Sequence, residues 1–377
     1  MHRIRRLFFL PLIALSFCSI NTVIAEETLL PFCRASGECG YVNLQNEIVI
    51  FPEYDFASRF SDGLAAIYKG GNYGYIDERV KIAIDLRFQQ AEAFSNGVAW
   101  VRESGKTFLI DKNGVQVSHQ KFDSVRDFYN YPIPAEVDDV WGYIDQSGNF
   151  VIPPQFGDAG GFSDGLAPVK LGDKYGYVDL DGKITIAPQF DYAMRFYDGI
   201  ATFRIGLKWG FIDTSGKIIL KPSYDALGQY SEGKIWARKE RGGKTVYLNS
   251  SGGQALSLQF DRAGNFQEDL APASIDDKWG YIDHEGSFLI EPQFKNARKF
   301  HDERAVVAGE AGEGIIDNSG NIIVPLTHEL DLQYENGYIW GAVYALRLGA
   351  GVHSKLYYFD RDGNAYGFFD EAIVTEE

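Results

Sequence analysis

From residue 39 onward, short apolar runs alternate with polar, glycine-bearing breaks. In the stretch Lys174-Tyr175-Gly176-Tyr177-Val178-Asp179-Leu180-Asp181-Gly182-Lys183, the first half reads as a strand and the second as a turn. Asp179 opens the turn and Gly182 closes it. An Asp side chain there accepts turn amides and Gly takes positive φ, so the flanking runs are predicted to pair as a hairpin. Ile184-Thr185-Ile186 is the second strand, and Pro188-Gln189-Phe190-Asp191 is expected to end it, since proline cannot donate to a ladder. A loop with Phe196 and Asp198-Gly199 follows. The run equivalent to Leu166-Ala167-Pro168-Val169 then leads into the next copy. One unit is thus predicted to be three short strands and a loop carrying one buried aromatic. No window keeps a helical period.

The copies are Cys39 to Asn43, Tyr73 to Asp77, Thr107 to Asp111, Trp141 to Asp145, Tyr175 to Asp179 and Trp209 to Asp213, then Thr245 to Asn249, Trp279 to Asp283, Glu313 to Asp317 and Leu356 to Asp360. Their last residues are 34 apart five times, then 36, 34, 34 and 43. A period this strict marks a structural unit. The predicted fold is all-β: a tandem array of about ten three-stranded antiparallel units, each about 34 residues long, over residues 39–363. An open superhelical array is expected, because the terminal units depart most from the rest. The segment with Cys33 and Cys39 would then cap one end, and the strands from Tyr338 to Phe359 with the acidic tail 364–377 would cap the other. The alternative is a closed, propeller-like ring.

Tyr73, Gly74, Trp141, Gly142, Tyr175, Gly176, Trp209, Gly210, Trp279 and Gly280 hold the aromatic-glycine start of the signature and are read as structural. The copies that start at Thr107, Thr245 and Leu356 are among those lacking the aromatic, and in each of these three a tryptophan stands on the preceding strand, at Trp100, Trp236 and Trp340. A hairpin with its tip at Glu103-Ser104 would set Trp100 opposite Thr107, and Pro168 opposite Tyr175. The tryptophans would then be compensating aromatics.

Lys208-Trp209-Gly210-Phe211-Ile212-Asp213 and Lys278-Trp279-Gly280-Tyr281-Ile282-Asp283, with the following Gly-Lys-Ile-Ile and Pro-x-Phe/Tyr-Asp elements, resemble the WG (KWG) repeat family. The resemblance spans about residues 39 to 363. It implies a β-repeat fold, and neither a common catalytic activity nor shared catalytic residues.

The N-terminus adds a compartment. Met1 to Arg6 is basic, Leu7 to Ile20 is apolar, and Ala25 ends a segment that reads as a signal peptide over residues 1–25. Phe17 is too bulky for lipoprotein processing at Cys18. Cleavage would remove Arg3, Arg5 and Arg6 and no acid, moving the net charge from −16 to −19. Such a surface repels nucleic acid and anionic lipid, and no membrane span is expected after cleavage. Cys33 and Cys39, flanking the leader 26–38, are expected to form a disulfide in a periplasmic or secreted protein.

Chemistry that breaks the repeat is scarce. His119, His284, His301, His328 and His353 fall at different unit positions, and His119 and His301 read as surface residues. Asp179 with Asp181, or Asp360 with Asp362, fits turn capping better than calcium binding or a glycosidase pair. No cofactor is expected. Tyr41, Tyr75, Tyr143, Tyr177, Phe211, Tyr247 and Tyr281 form a row that is either core or a binding face for sugar rings or a peptide. The expected function is a non-enzymatic scaffold binding a partner protein or envelope glycan. The alternative is a glycan-directed hydrolase using a carboxylate pair in a groove.

Overall fold

The structure, a computed structural model, describes residues 28–34, 37–126, 131–328, 330–335, 338–344, 354–359 and 362–366. The segment read as a signal peptide lies outside them. Every described element is a β-strand. The opening stretch lies in a sheet of four antiparallel strands, ordered Asp158–Ala159, Leu166–Leu171, Lys174–Asp179 and Ile184–Phe190. The sheet exceeds the predicted three strands by the two-residue strand Asp158–Ala159. The last strand also runs through Pro188 to Phe190. It can do so because it is the edge of its sheet, where a missing N–H leaves no ladder bond unmade.

The signature makes physical sense atom by atom. A Cβ on Gly176 would sit 2.4 Å from the Ile186 carbonyl oxygen, so only glycine lets the signature strand approach its neighbour there. Gly74, Gly142, Gly210 and Gly280 meet the same constraint. The Tyr177 hydroxyl donates to the Met194 carbonyl at 2.8 Å. The Lys174 ammonium pairs with Asp191, whose second oxygen accepts the Gly206 amide of the next hairpin tip. Asp179 accepts the amides of Asp181 and Lys183 at 3.1 and 2.9 Å, and Gly182 takes φ +76°, as the turn chemistry predicted. Asp179 and Asp181 are therefore parts of one turn.

The core lies between successive units. Leu166, Tyr177, Ile186 and Phe190 of one sheet pack with Ala201, Phe203 and Ile212 of the next. The turn glycines add to it, Gly182 lying against Ile152 and Gly216 against Ile186 of the preceding sheets. Each unit covers its neighbour's apolar face, which explains why the repeat occurs in tandem.

The hairpin register corrects one expectation. Trp100 lies opposite Leu109, not Thr107, and Pro168 lies opposite Tyr177, not Tyr175. Trp236 faces Tyr247, and the backbone of Trp340 faces Tyr358, with the same two-residue offset. The tip is Ser104-Gly105, both at positive φ (51° and 76°), because a two-residue hairpin prefers left-handed central residues and Gly105 supplies one. Trp100 and Thr107 keep one sheet face, joined through Phe122, which meets the indole edge-on and exchanges backbone bonds with Thr107. In this unit and the one with Trp236 the outer strand is reduced to isolated bridges.

Cys33 and Cys39 are disulfide-bonded, as expected. Leu30–Cys33 is a strand pairing with Cys39–Val42 on one side and with Ser354–Phe359 on the other. The first and last units therefore share one sheet, running from Ile48–Tyr54 to Leu330–Glu335. The segments expected as two separate caps meet each other. Among the described residues no helix is long and apolar enough to cross a membrane.

Candidate functional site

The row expected as a possible binding face is core. Tyr75, Tyr143, Tyr177, Phe211, Tyr247 and Tyr281 are all fully buried, as is Tyr41. Where the residue is tyrosine, its hydroxyl donates to the carbonyl seventeen residues on, those of Ser58, Glu92, Gly160, Met194, Gly264 and Arg298. The ring packs on the loop aromatic, for example Tyr177 on Phe196 at 4.8 Å between centroids. Burial pushes the phenols of Tyr75, Tyr143, Tyr177, Tyr247 and Tyr281 above their ordinary pKa. None of these side chains is available to a ligand.

The signature aromatics two residues upstream behave differently. Tyr73, Tyr175, Trp209 and Trp279 are half-buried, and Trp141 is buried beneath Arg126, whose guanidinium lies 3.9 Å from the indole centroid. Tyr175 opens onto a cavity of about 320 Å³ between four successive units. Small residues make the space: Ala159, Gly160, Gly161, Pro168, Ala193 and Thr202. Tyr175, Tyr192, Tyr197 and Tyr230 supply aromatic walls, and Arg126, Asp158, Arg195 and Gln229 supply polar groups. Sequence reasoning missed most of these. They occupy variable unit positions and come from four units, so no single motif unites them. The usable signal was the small residue at Pro168 and Thr202, where Trp100 and Trp236 stand in sibling units.

The polar groups are tied together. The Tyr175 hydroxyl donates to one Asp158 oxygen at 2.5 Å, and Arg126 pairs with the other at 2.7 Å. Burial acts to raise the Asp158 carboxyl, but the Tyr175 hydroxyl and Arg126 outweigh it and hold it below the usual carboxylate range. Burial, then the bond to Asp158, raises Tyr175, so it stays a donor at neutral pH. Tyr175 and Tyr192 meet edge-on at 5.5 Å, and Tyr192 meets Trp209 at 6.0 Å, so the aromatic wall continues along the array.

The sibling positions show how this space is controlled. A Cβ on Gly228 would fall 2.2 Å from the Trp236 indole nitrogen, and one on Gly160 would fall 2.8 Å from the Pro168 ring. The indole occupies at Gly228 the room that proline leaves open at Gly160. Trp100 likewise lines a second cavity, of about 270 Å³, with Glu92, Tyr131 and Gln146. Burial raises the Glu92 carboxyl.

Among the described residues two groups have metal-ligating atoms close together: Glu232 with Asp269 and His284, and Glu268 with His301 and Asp302. Both glutamates already accept two backbone amides of the next unit's turn, at 2.7–3.1 Å. His284 turns Nε2 toward the Glu232 and Asp269 carboxylates at 3.4 Å, and the Lys234 ammonium lies 3.0 Å from its other ring nitrogen, Nδ1. These groups bind turns together. His119 and His301 are exposed, as expected.

The WG containing repeat family matches residues 40–73, 73–106, 141–175, 175–208, 209–244, 247–279 and 279–308, more than half of the chain. No curated protein matches. Among solved structures, a eukaryotic initiation factor is similar with a TM-score of 0.50 at 11% identity, over 90% of this chain and 95% of that one. Dihydro-heme d1 dehydrogenase NirN is similar with a TM-score of 0.36 at 12% identity, over 70% of this chain and 72% of that one. At such identities the first likeness is one of fold alone, and the second carries no argument.

Proposed function

This chain belongs to the WG containing repeat family, and from that premise we propose that it is an exported, non-enzymatic β-repeat protein that binds a partner protein or envelope glycan in the cavity lined by Tyr175, Tyr192 and Tyr230. One observation carries the reading. The recurring residues are consumed by the fold, whereas Asp158, Tyr192, Tyr197 and Gln229, which do not recur at their unit positions, converge with Arg126 on one aromatic-walled space. A concave site with a few converging polar groups is the usual form of a ligand site. Export is supported by the N-terminal leader and by the Cys33–Cys39 disulfide, which suits an oxidising compartment.

Binding is favoured over glycoside hydrolysis because the cavity lining holds one carboxylate, Asp158, which is tied to Arg126 and held ionised. Hydrolysis needs two carboxyls with divided roles. The test is photo-crosslinking with benzoylphenylalanine in place of Tyr192, using exposed Phe51 as the control position. Adducts from envelope extract at 192 and not at 51 are expected. Identical labelling at both positions would contradict the reading.

A further inference from the structure

We propose that the cavity around Gly160, Pro168 and Tyr192 is a saccharide site holding one or two pyranose rings. This rests on the binding reading above and names its ligand class. The argument begins with what the cavity withholds. A peptide that binds by adding a strand is recognised through main-chain bonds to a strand edge. Here the backbone of Gly160 and Met194 is already spent: the Gly160 carbonyl accepts the Tyr143 hydroxyl at 2.8 Å, and the Met194 carbonyl accepts that of Tyr177. The Gly160 and Met194 amides donate to the Pro168 and Thr202 carbonyls at 2.8 and 3.0 Å. What remains for a ligand is side-chain chemistry.

That chemistry is aromatic faces beside planar polar groups. Tyr192 is 39% exposed although it lies in a strand, so part of its ring is open to a ligand. Aromatic faces carry negative potential and attract the weakly positive C–H bonds of a sugar ring. The Asp158 carboxylate, the Arg126 guanidinium and the Gln229 amide present acceptors and donors in fixed planes, which suits neighbouring hydroxyls. Asp158 and Arg126 offset each other's charge, so the pair requires no charged ligand. The volume of about 320 Å³ is at the small end of ligand sites, the size of a mono- or disaccharide.

The repeat itself supplies a blocking variant. Gly228 with Trp236 is the natural counterpart of Gly160 with Pro168, so Pro168→Trp should place an indole in the cavity as a sibling unit already does. The experiment applies the full-length protein, expressed with its leader, to an array of mono- to tetrasaccharides, followed by calorimetric titration of the retained sugars. Wild type and Phe51→Ala should bind alike, while Pro168→Trp and Tyr192→Ala should each bind at least tenfold more weakly. Circular dichroism checks that each variant is folded, and Tyr192→Ala carries the test if Pro168→Trp is not. No retained sugar, or equal binding by both cavity variants, overturns the proposal. Crosslinking at position 192 separates the two readings. A protein adduct specific to 192 with no retained sugar overturns the saccharide and keeps the binding site, whereas no specific adduct and no sugar overturn both.

Discussion

At Tyr177 two chemical roles sit on one side chain: a ring packed against Phe196 and a hydroxyl that satisfies the Met194 carbonyl. Removing only the second role isolates it. Tyr177→Phe is expected to cost about 1 kcal/mol, the usual net worth of a buried neutral hydrogen bond, read as a lower urea midpoint at unchanged m-value. The chain contains a natural variant of this experiment, with Phe211 in the row and Tyr230 in the place that Phe196 occupies one unit earlier. The turn role of Asp179 was legible in the sequence, because turn chemistry is local. Which of Tyr175 and Tyr177 meets solvent was not. Both project from one strand two residues apart, and stacking by the next unit buries one and leaves the other half open.

Hairpins and turns carry the element scale. Asp111, Asp213 and Asp317 each accept turn amides, and all three carboxyls lie below their ordinary range. The main cause is the Val115 amide for Asp111 and the Ser215 hydroxyl for Asp213. At Asp317 burial opposes the shift, and bonds from Asn321 and Ser319 outweigh it. A carboxyl that titrates lower folded than unfolded stabilises fully above its unfolded pKa, roughly 3.9, and ceases to as pH falls through the folded value. Stability measured by urea melts should be level down to about pH 4.5 and decline below it. The raised Glu92 carboxyl acts in the opposite sense, so the check is Asp213→Asn, which should flatten the decline; an unchanged decline would contradict the turn assignment. These groups are exposed, so each contributes modestly and the effect accumulates over the units. The two-residue register offset was harder to foresee. Glu103-Ser104 and Ser104-Gly105 are adjacent tips, and the preference of Gly105 for positive φ decides between them. The cavity was illegible for a different reason, since Arg126, Asp158 and Tyr192 belong to three units and meet only when the array is stacked.

Across the whole molecule, the repeat period predicted the all-β tandem array and its inter-unit core. The meeting of its ends was not readable from the period. Leu30–Cys33 carries no signature, yet it bridges Cys39–Val42 and Ser354–Phe359, and the disulfide fastens it there. The array thus keeps its terminal strands paired, which protects edges that would otherwise invite aggregation. It also offers an acidic molecule, of net charge −16, an aromatic site between units whose one carboxylate is paired with Arg126. The most direct test of that site is a thermal melt of wild type and Pro168→Trp, each with and without a soluble digest of envelope glycan. A ligand that binds only the folded state raises its melting temperature. The account predicts similar melting temperatures for the two proteins alone and a ligand-induced rise in wild type only. An equal rise in Pro168→Trp would place the ligand elsewhere and contradict the account.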